Sequence, residues 1–535
     1  MTEAPHSRSY HLQLDEIQGL IVSGYGDRPA ASYGLFEVTD PVRARAWIAR
    51  VLPHLQFGGY RRTARHMPPF LADICLNLAF TYEGFAALGL HRTALSGFSL
   101  PFQEGLDDPH RARRLGEDGP SAPDNWAWGG PQSQPVHGLL AVFAGHGDAT
   151  AQDVELPRET IASQLREENG IRLVKELDAF PTNRVLRKEH FGFRDGISNP
   201  RLAGLAREGA HDVIANGEIL LGYPNGYEKL PLSPEIPAHA DKRGDLLLPS
   251  DDHSAPRRDF GRNGTYLVFC QIAQDVKAFW QYVFRTAAQT PGAPPGREGA
   301  IWLAAKMVGR WPNGSPVTLY PDRPGSERHR DDNEFSFGSM GDAFGERCPM
   351  GSHVRRVNPR DTALPIPHDP ELSGDPTDPV VQKERIERAN LHRILRRGRP
   401  YGAPLDPLYD PEAMLAALAD PGDGKGSVPK DEERGLYFLG MNANLSRQFE
   451  FMRSNWIINP TFAGMSRDPD PLLGSQRACP FPASNFTLQG YPPRQLRNVP
   501  RVVETRGGAY FFLPSRSALL HLSREGVAGV PGLPE

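Results

Sequence analysis

The sequence lacks several features that would assign it quickly to a class of proteins. Its 535 residues carry 60 Lys and Arg against 64 Asp and Glu, so the basic surplus typical of nucleic-acid-binding domains is missing. No apolar run approaches the roughly 20 residues that a membrane-spanning helix needs. The opening residues, MTEAPHSRSYHLQ, contain neither the apolar core of a secretion signal nor a twin-arginine motif. We therefore expect a cytoplasmic protein that binds neither nucleic acid nor a membrane.

Cysteine is also scarce. The four cysteines stand at positions 75, 270, 348 and 479, far apart and in no CxxC pair. This spacing argues against a zinc site. A chain of this length can bury a large core without disulfides, so we expect buried thiols in a reducing compartment.

Glycine and proline, in contrast, are abundant: 54 and 52 residues, about a fifth of the chain, against about 12% in average proteins. The glycines follow no Gly-X-Y period, which excludes collagen. Because 39% of the residues are hydrophobic and the net charge is only −4, wholesale disorder is also excluded. The sequence therefore predicts long ordered loops on a globular frame, and such loops tend to carry functional sites.

The first half of the chain shows an ordered pattern of strands and helices. Its predicted elements are a strand at 35–38, a helix from Asp40-Pro41 to about Pro53, a strand at 73–80, a short helix from Thr81 to Gly89, a strand at 139–143, a helix at 157–168 and a strand at 171–176. Without the short helix the order is β-α-β-β-α-β, which is typical of a ferredoxin-like unit.

The second half repeats this pattern more loosely. Its predicted elements are a strand at 266–272, a helix at 275–285, a strand at 436–441, a helix containing Phe449, Phe451 and Trp456, and strand segments at 502–503 and 510–513. The interpretation is an α+β fold of two ferredoxin-like units with long Gly/Pro-rich loops. We place the units at residues 10–185 and 186–530.

Three Gly/Pro-bounded segments contain charged residues that a plain loop does not require. The first is FGFRDGISNP at 191–200, where Asp195 lies between Gly192 and Gly196 and is flanked by Phe193 and Ile197. A carboxylate among apolar neighbours can have a raised pKa, which suits a group that accepts and donates a proton. The alternative is an Asx-turn, in which Asp195 only binds its own backbone.

The second segment is CPMGSHVRRVNPR at 348–360, which contains His353. A neutral imidazole is a good iron ligand, although this chain has 17 histidines. The thiolate of Cys348 is a rival ligand for haem iron. Three arginines of this segment could bind carboxylates, or could simply form a solvated basic loop: Arg355, Arg356 and Arg360.

The third segment is LRRGRPYG at 395–402. The guanidinium groups of Arg396 and Arg397 could hold an anionic ligand or stabilise developing negative charge. The alternative is an exposed end of a helix or strand.

Taken together and in this order, the three segments resemble those of the dye-decolourising peroxidase family of haem enzymes. The residues that carry the resemblance are the GxxDG motif at 192–196, the segment at 348–360 and ILRRGRPYG at 394–402. Further similarity lies in NGTYLVF at 263–269, in 435–457 and in RGGAYFFLPS at 506–515. The resemblance extends from about residue 15 to 525 and is strongest to the longer bacterial members that lack a signal sequence.

The resemblance implies a role for individual residues. His353 matches the proximal ligand of the haem iron, which disfavours Cys348 in that role. Asp195 matches the distal acid–base residue and Arg396 the distal arginine. Further residues match haem contacts, namely Arg360, Arg355, Leu436, Phe438 and Gly196. The family fold is two ferredoxin-like units with one haem b per chain, held mainly by the second unit.

The implied function is a haem b peroxidase that reduces hydrogen peroxide and oxidises dyes, phenols or other one-electron donors. One alternative is a haem-handling protein with incidental peroxidase activity. Another is a Mn(II)-oxidising peroxidase, which needs a carboxylate cluster near a haem propionate. The Pro/Asp-rich insertion at about 361–378 is absent from compact members. For the residue that hydrogen-bonds the second nitrogen of His353, the sequence offers Glu450 and Asn444.

Overall fold

The computed structural model describes residues 11–58, 74–145, 151–181, 187–207, 209–249, 256–362, 375, 378–406, 410–419, 433–474 and 484–524. Most of the 361–378 insertion and Cys479 lie outside the described residues. In this described part of the chain, no helix combines the length and apolarity that crossing a membrane requires.

The described residues form strands and helices of very unequal length. The strands are β1 Ala30–Val38, β2 Ile74–Phe80, β3 Gly138–Ala144, β4 Ile171–Asp178, β5 Arg201–Leu202, β6 Val213–Ile214, β7 Glu235–Pro237, β8 Arg257–Asp259, β9 Thr265–Gln274, β10 Leu395–Arg396, β11 Arg399–Tyr401, β12 Gly435–Asn442, β13 Phe486–Leu488, β14 Arg494–Leu496 and β15 Val503–Leu513. The α-helices are α1 Gly19–Val22, α2 Pro41–Val51, α3 Tyr82–Ala87, α4 Arg92–Gly97, α5 Leu100–Glu104, α6 Pro109–Leu115, α7 Ala151–Gln164, α8 Val276–Ala288, α9 Gly296–Val308, α10 His353–Val357, α11 Pro379–Asn390, α12 Pro411–Ala419 and α13 Arg516–Arg524. Two π-helical segments follow β12, at Ser446–Glu450 and Met452–Ile457.

Nine strands form one antiparallel sheet, whose order is β10-β12-β9-β15-β2-β3-β1-β4, with β11 also paired to β12. The first-half strands lie in the order β4-β1-β3-β2, and the second-half strands β15-β9-β12-β10 repeat this arrangement. The two halves meet where Phe512 of β15 pairs with Phe80 of β2. The predicted α+β fold of ferredoxin-like type is therefore confirmed.

Capping residues in the sequence correctly predicted where several helices begin. The Asp40 side chain accepts the Val42 and Arg43 amides at the start of α2, and Thr81 and Asp275 cap α3 and α8 in the same way. Other helices differ from the prediction or were not predicted, and two examples follow. Helix α7 begins six residues before Pro157, which lies inside the helix rather than at its start. Helix α9 was not predicted.

Alternate side chains of the long strands pack into two different cores. Tyr33 of β1 and Leu439 of β12 point to one face of the sheet, which the segments around α1 and residues 202–223 cover. Phe36 and Tyr510 point to the other face, beneath α2, α7 and α13. Both cores contain residues from each half of the chain. The boundary between units at 185/186 stays a prediction.

The second of these faces also positions the segment that carries His353. Val357 at the end of α10 and Phe438 of β12 pack against the same core cluster. The π-helical segment 452–457 lies against α10 and adds Trp456 to that cluster. Helix α10 is therefore held over the face of the sheet from which Phe438 projects.

Candidate active site

Asp195 lies at the end of a tight loop that aromatic side chains anchor. Its amide donates to the Arg187 carbonyl (2.9 Å), and the Glu189 amide donates to the Phe193 carbonyl (3.0 Å). Phe193 is buried and stacks on Trp280 of α8, with ring centroids 6.4 Å apart. Phe193 therefore points into the core, whereas the Asp195 side chain is 45% exposed.

Arg396 is brought to Asp195 by the sheet edge. It ends the short strand β10, which pairs with β12 opposite Gly440. Its amide donates to Asn199 Oδ1 (3.0 Å), a residue of the predicted 191–200 segment. Its guanidinium Nη1 lies 3.4 Å from Asp195 Oδ1. Two segments 201 residues apart in sequence therefore form one acid–guanidinium pair.

Asp195 and Arg396 line a cavity of about 1070 Å³ together with Gly196, Asn199 and Leu436. Gly196 adopts a positive φ of 80°, which a residue with a Cβ rarely adopts. The Asp195 side chain is 45% exposed and that of Arg396 is 30% exposed. Phe193 faces the core and does not cover Asp195, so an apolar environment for this carboxylate stays a prediction. Asp195 Oδ1 also accepts the Gly196 amide (2.6 Å), so an interaction with its own backbone is present as well.

Phe438 does not line this cavity, although it belongs to the same wall of the fold. It lies two residues after Leu436 on β12, so both side chains leave the strand on the same face. Its ring lies 6.1 Å from that of Phe449. Leu436 and Phe438 therefore form a continuous apolar strip beside Arg396.

His353 opens α10, and its ring is oriented by a buried carboxylate. His353 Nδ1 lies 2.9 Å from Asp470 Oδ2, and Asp470 also accepts the Leu472 and Leu473 amides. Burial raises the pKa of Asp470, but His353 and then Arg356 lower it more, so the net pKa lies below the usual value. With Nδ1 bound to Asp470, Nε2 is the ring nitrogen left to ligate a metal. His353 is not among the residues that line the cavity.

Glu450 and Asn444, the predicted partners of His353, have other roles. Glu450 is almost fully buried, and both its oxygens accept hydrogen bonds from Arg111 Nη1 (2.6 and 2.8 Å). It also accepts the Tyr510 hydroxyl (2.9 Å). Asn444 accepts the Arg447 amide at the start of the π-helical segment. Both predictions are therefore wrong, because local and cross-sheet partners already use these polar atoms.

Removal of the Glu450 carboxylate is expected to destabilise the fold. Glu450→Ala would leave Arg111 buried with only Glu104, and breaking a buried ion pair in this way costs about 3–5 kcal/mol. Urea unfolding would measure the loss. The control is Glu104→Gln. Because the Glu104 side chain is 39% exposed, this substitution should lower the free energy of unfolding by less than about 1 kcal/mol. Equal losses in the two variants would contradict this assignment.

Arg355 does not face the cavity. Its guanidinium is fully buried and donates to the carbonyls of Cys348, Asp342 and Ala343 and to Thr362 Oγ1. The predicted propionate contact is therefore not supported for this residue, because its donors already hold the surrounding loop together. Cys348 is buried as well, and burial raises the pKa of its thiol, which disfavours a thiolate ligand.

Arg360 reaches the cavity wall through Asn333. Its guanidinium donates to the Asn333 carbonyl (2.9 Å) and to Asn333 Oδ1 (2.6 Å), and Asn333 lines the cavity. Arg310 donates to the same Oδ1 (3.1 Å). Burial lowers the pKa of Arg310 to about 9, and the nearby charge of Arg360 contributes to this decrease. Burial also lowers the pKa of Arg360, to about 10. Two buried cations next to each other favour an anion at this wall.

Sequence reasoning missed Asp470 and Arg310, and each left a signal. Asp470 stands between two prolines in Asp-Pro-Asp-Pro at 468–471, where a fixed backbone can aim a side chain. Arg310 follows the apolar run at the end of α9, an unusual position for a solvated charge. In contrast, the group with metal-ligand spacing among the described residues, Asp241, Asp245 and His521, does not line the cavity and gives the Mn(II) alternative no support.

No family model matches the sequence. Several characterised proteins do. Peroxidase 2 of the fungus Mycetinis scorodonius is 28% identical, and the similarity covers 96% of this chain and 88% of that protein. The dye-decolorizing peroxidase AauDyP1 of Auricularia auricula-judae is 26% identical over 95% of this chain and 86% of its own. The multifunctional dye peroxidase DyP2 of Amycolatopsis is 28% identical over 84% of this chain and 82% of its own.

Solved structures share the fold over almost the whole chain. A dye-decolorizing peroxidase from Auricularia auricula-judae superposes with a TM-score of 0.67 at 24% identity, covering 96% of this chain and all of that one. A variant of the Pleurotus ostreatus enzyme gives a TM-score of 0.70 at 22% identity, covering 96% and 99%. Because fungal relatives dominate these similarities, the predicted bacterial subtype is wrong. Along nearly its full length, the chain is therefore similar to characterised dye-decolorizing peroxidases.

Proposed function

We propose that this protein is a haem b peroxidase, with one haem per chain, that reduces hydrogen peroxide and oxidises dyes and phenols. The observation that carries the proposal is the pair of Asp195 and Arg396, 3.4 Å apart on the wall of one large cavity. Characterised relatives are named dye-decolorizing peroxidases, and one solved relative was studied in complex with 2,6-dimethoxyphenol.

The residues present fit a haem. The cavity of about 1070 Å³ matches the upper range of pockets for ligands and cofactors, about 300–1,000 Å³. Among the described residues, Arg360 has a buried Nε without a hydrogen-bond partner, so this cation has capacity for a carboxylate. We propose that His353 Nε2 binds the iron, that Arg360 and Arg310 bind the propionates, and that Leu436, Phe438 and Gly196 lie against the macrocycle.

When bound, haem supplies the iron that takes up the oxidising equivalents of peroxide. The protein's own residues manage protons and charge. Asp195 can accept a proton from the inner oxygen of hydrogen peroxide and deliver it to the outer oxygen, which leaves as water. Arg396 can stabilise the negative charge that develops as the O–O bond polarises.

The direct test is peroxide-dependent turnover by purified haem-loaded protein. We expect a pyridine haemochrome spectrum of haem b at one equivalent per chain. Oxidation of 2,6-dimethoxyphenol and of an anthraquinone dye should require hydrogen peroxide. A protein that bound haem but transferred it to an acceptor, without peroxide-dependent oxidation of either donor, would instead support the haem-handling alternative.

Asp470 is expected to control how tightly the haem is held. Asp470→Asn keeps the shape but removes the negative charge that orients His353 and increases its basicity. Losses of this kind typically cost about 10–100-fold in metal affinity. Haem transfer to apomyoglobin would measure the change. The control is Asp245→Asn, which changes a carboxylate that binds Arg524. An unchanged rate of haem transfer for Asp470→Asn would contradict the assignment.

We further propose a cytoplasmic location and a division into units at 10–185 and 186–530. The location is supported by Cys75, Cys270 and Cys348, all of which are buried free thiols. Cell fractionation of the source organism tests it, and recovery of the protein from the culture medium would contradict it. Limited proteolysis tests the boundary, since cleavage should concentrate where the two proposed units meet, at 185/186.

A further inference from the structure

Glu189 lies inside the loop that carries Asp195. Its Oε2 accepts the Phe191 amide (2.9 Å) and its Oε1 accepts the Phe193 amide (2.9 Å). Its own amide and carbonyl bind the backbone of Phe193 and Gly192. A single carboxylate therefore gathers the backbone donors of the turn that leads into Asp195.

The same carboxylate fastens this loop to the central sheet. Glu189 Oε2 accepts Gln274 Nε2 (2.6 Å), and Gln274 is the last residue of β9. The surrounding protein restricts hydration of Glu189, raising its pKa to about 7, and the Asp195 charge contributes to this rise. Glu189 also lines the cavity. A carboxylate outside the three motif segments thus links the Asp195 loop to the central sheet.

We propose that Glu189 is a positioning residue, which fixes the loop at 187–196 so that the Asp195 carboxylate stays against Arg396. This inference rests on the proposed function, in which Asp195 transfers the peroxide protons. Proton transfer requires atoms within hydrogen-bond reach, and a displacement of about 1 Å can cost about 100-fold in rate.

The hydrogen-bond pattern predicts that glutamine cannot replace Glu189. All three partners of the carboxylate are donors: two buried amides and the Gln274 Nε2. Gln274 can rotate its amide, since its Oε1 is buried and has no hydrogen-bond partner among the described residues. The two backbone amides cannot rotate to present an acceptor. In either orientation of a glutamine at position 189, its NH₂ group therefore faces one of these two amides. One buried amide loses its acceptor, and the turn loosens.

The test compares Glu189→Gln with Asp241→Asn in the full-length haem protein. Asp241 is a buried carboxylate that accepts the Asp245 and Leu246 amides in a loop that does not line the cavity. For Glu189→Gln we expect the second-order rate with peroxide to fall about 10–100-fold. Hydrogen exchange of peptides spanning 189–196 should become faster in the apoprotein too. Asp241→Asn should change neither quantity.

A double-mutant cycle with Asp195→Asn separates positioning from general destabilisation. If Glu189 acts through Asp195, adding Glu189→Gln to Asp195→Asn should lower the rate less than twofold further. An undiminished 10–100-fold loss on that background, or a rate unchanged in the single variant, would overturn the proposal. If Glu189→Gln fails to fold, Gln274→Ala should show the same effects more weakly, and their absence would overturn it equally. A wild-type protein inactive with peroxide contradicts the proposed function, while the exchange result still tests the loop.

Discussion

Asp195→Asn is expected to slow the reaction of the haem protein with hydrogen peroxide by about 10²–10⁴-fold, the usual contribution of a positioned acid–base group. An asparagine keeps the size of the side chain and can still face Arg396, but it cannot accept the first proton of peroxide or return it to the leaving oxygen. Stopped-flow measurement of the Soret change against peroxide concentration gives the rate constant. Haem content should stay at the wild-type value.

A matched control exists in the same chain. Asp40 also lies 3.4 Å from an arginine, Arg43, with a side chain that is 42% exposed, and it accepts backbone amides. Asparagine is as good a helix N-cap as aspartate, so Asp40→Asn should leave the rate constant unchanged. If Asp195→Asn reacts as fast as Asp40→Asn, Asp195 is not the acid–base group.

His353→Ala is expected to lose most of its haem. Removal of a partner such as Asp470 already costs about 10–100-fold in metal affinity, so removal of the ligand itself should cost more. Purification in the presence of excess haem, followed by the ratio of Soret to protein absorbance, measures retention. Added imidazole should restore part of the spectrum, because the substitution leaves a space of the right shape next to Asp470.

The control for this variant is His329→Ala. His329 forms a comparable pair, with Nδ1 3.1 Å from Asp332 Oδ2 and a side chain that is 29% exposed. It should retain haem at the wild-type ratio. Retention of haem by His353→Ala, with an unchanged Soret maximum, would show that another residue binds the iron.

Local features of this fold were readable from sequence because their causes are local. Asp40-Pro41, Thr81 and Asp275 satisfy amides within three residues of themselves, so the helix starts followed from residue type alone. Helix α9 was not predicted, because it is apolar on nearly every side and its buried residues give little helical periodicity.

The assembly of the site depends on contacts that no local pattern reveals. The three motif segments were found because each has a distinctive composition, and the structure joins the first and third at Asp195 and Arg396. The partner of His353 was mispredicted because Asp470 lies 117 residues away. Arg355 shows the opposite problem. An arginine is a suitable partner for a propionate, but the guanidinium of Arg355 already donates to backbone carbonyls, and only the three-dimensional structure shows these contacts.

We propose that Asp195, Arg396 and His353 act on one haem, and a crystal structure of the haem-loaded protein would show whether they do. We expect His353 Nε2 to bind the iron, Asp195 and Arg396 to lie next to the haem, and Arg360 to bind a propionate. Iron bound by any other side chain, or a haem that is not next to Asp195 and Arg396, would contradict the proposal.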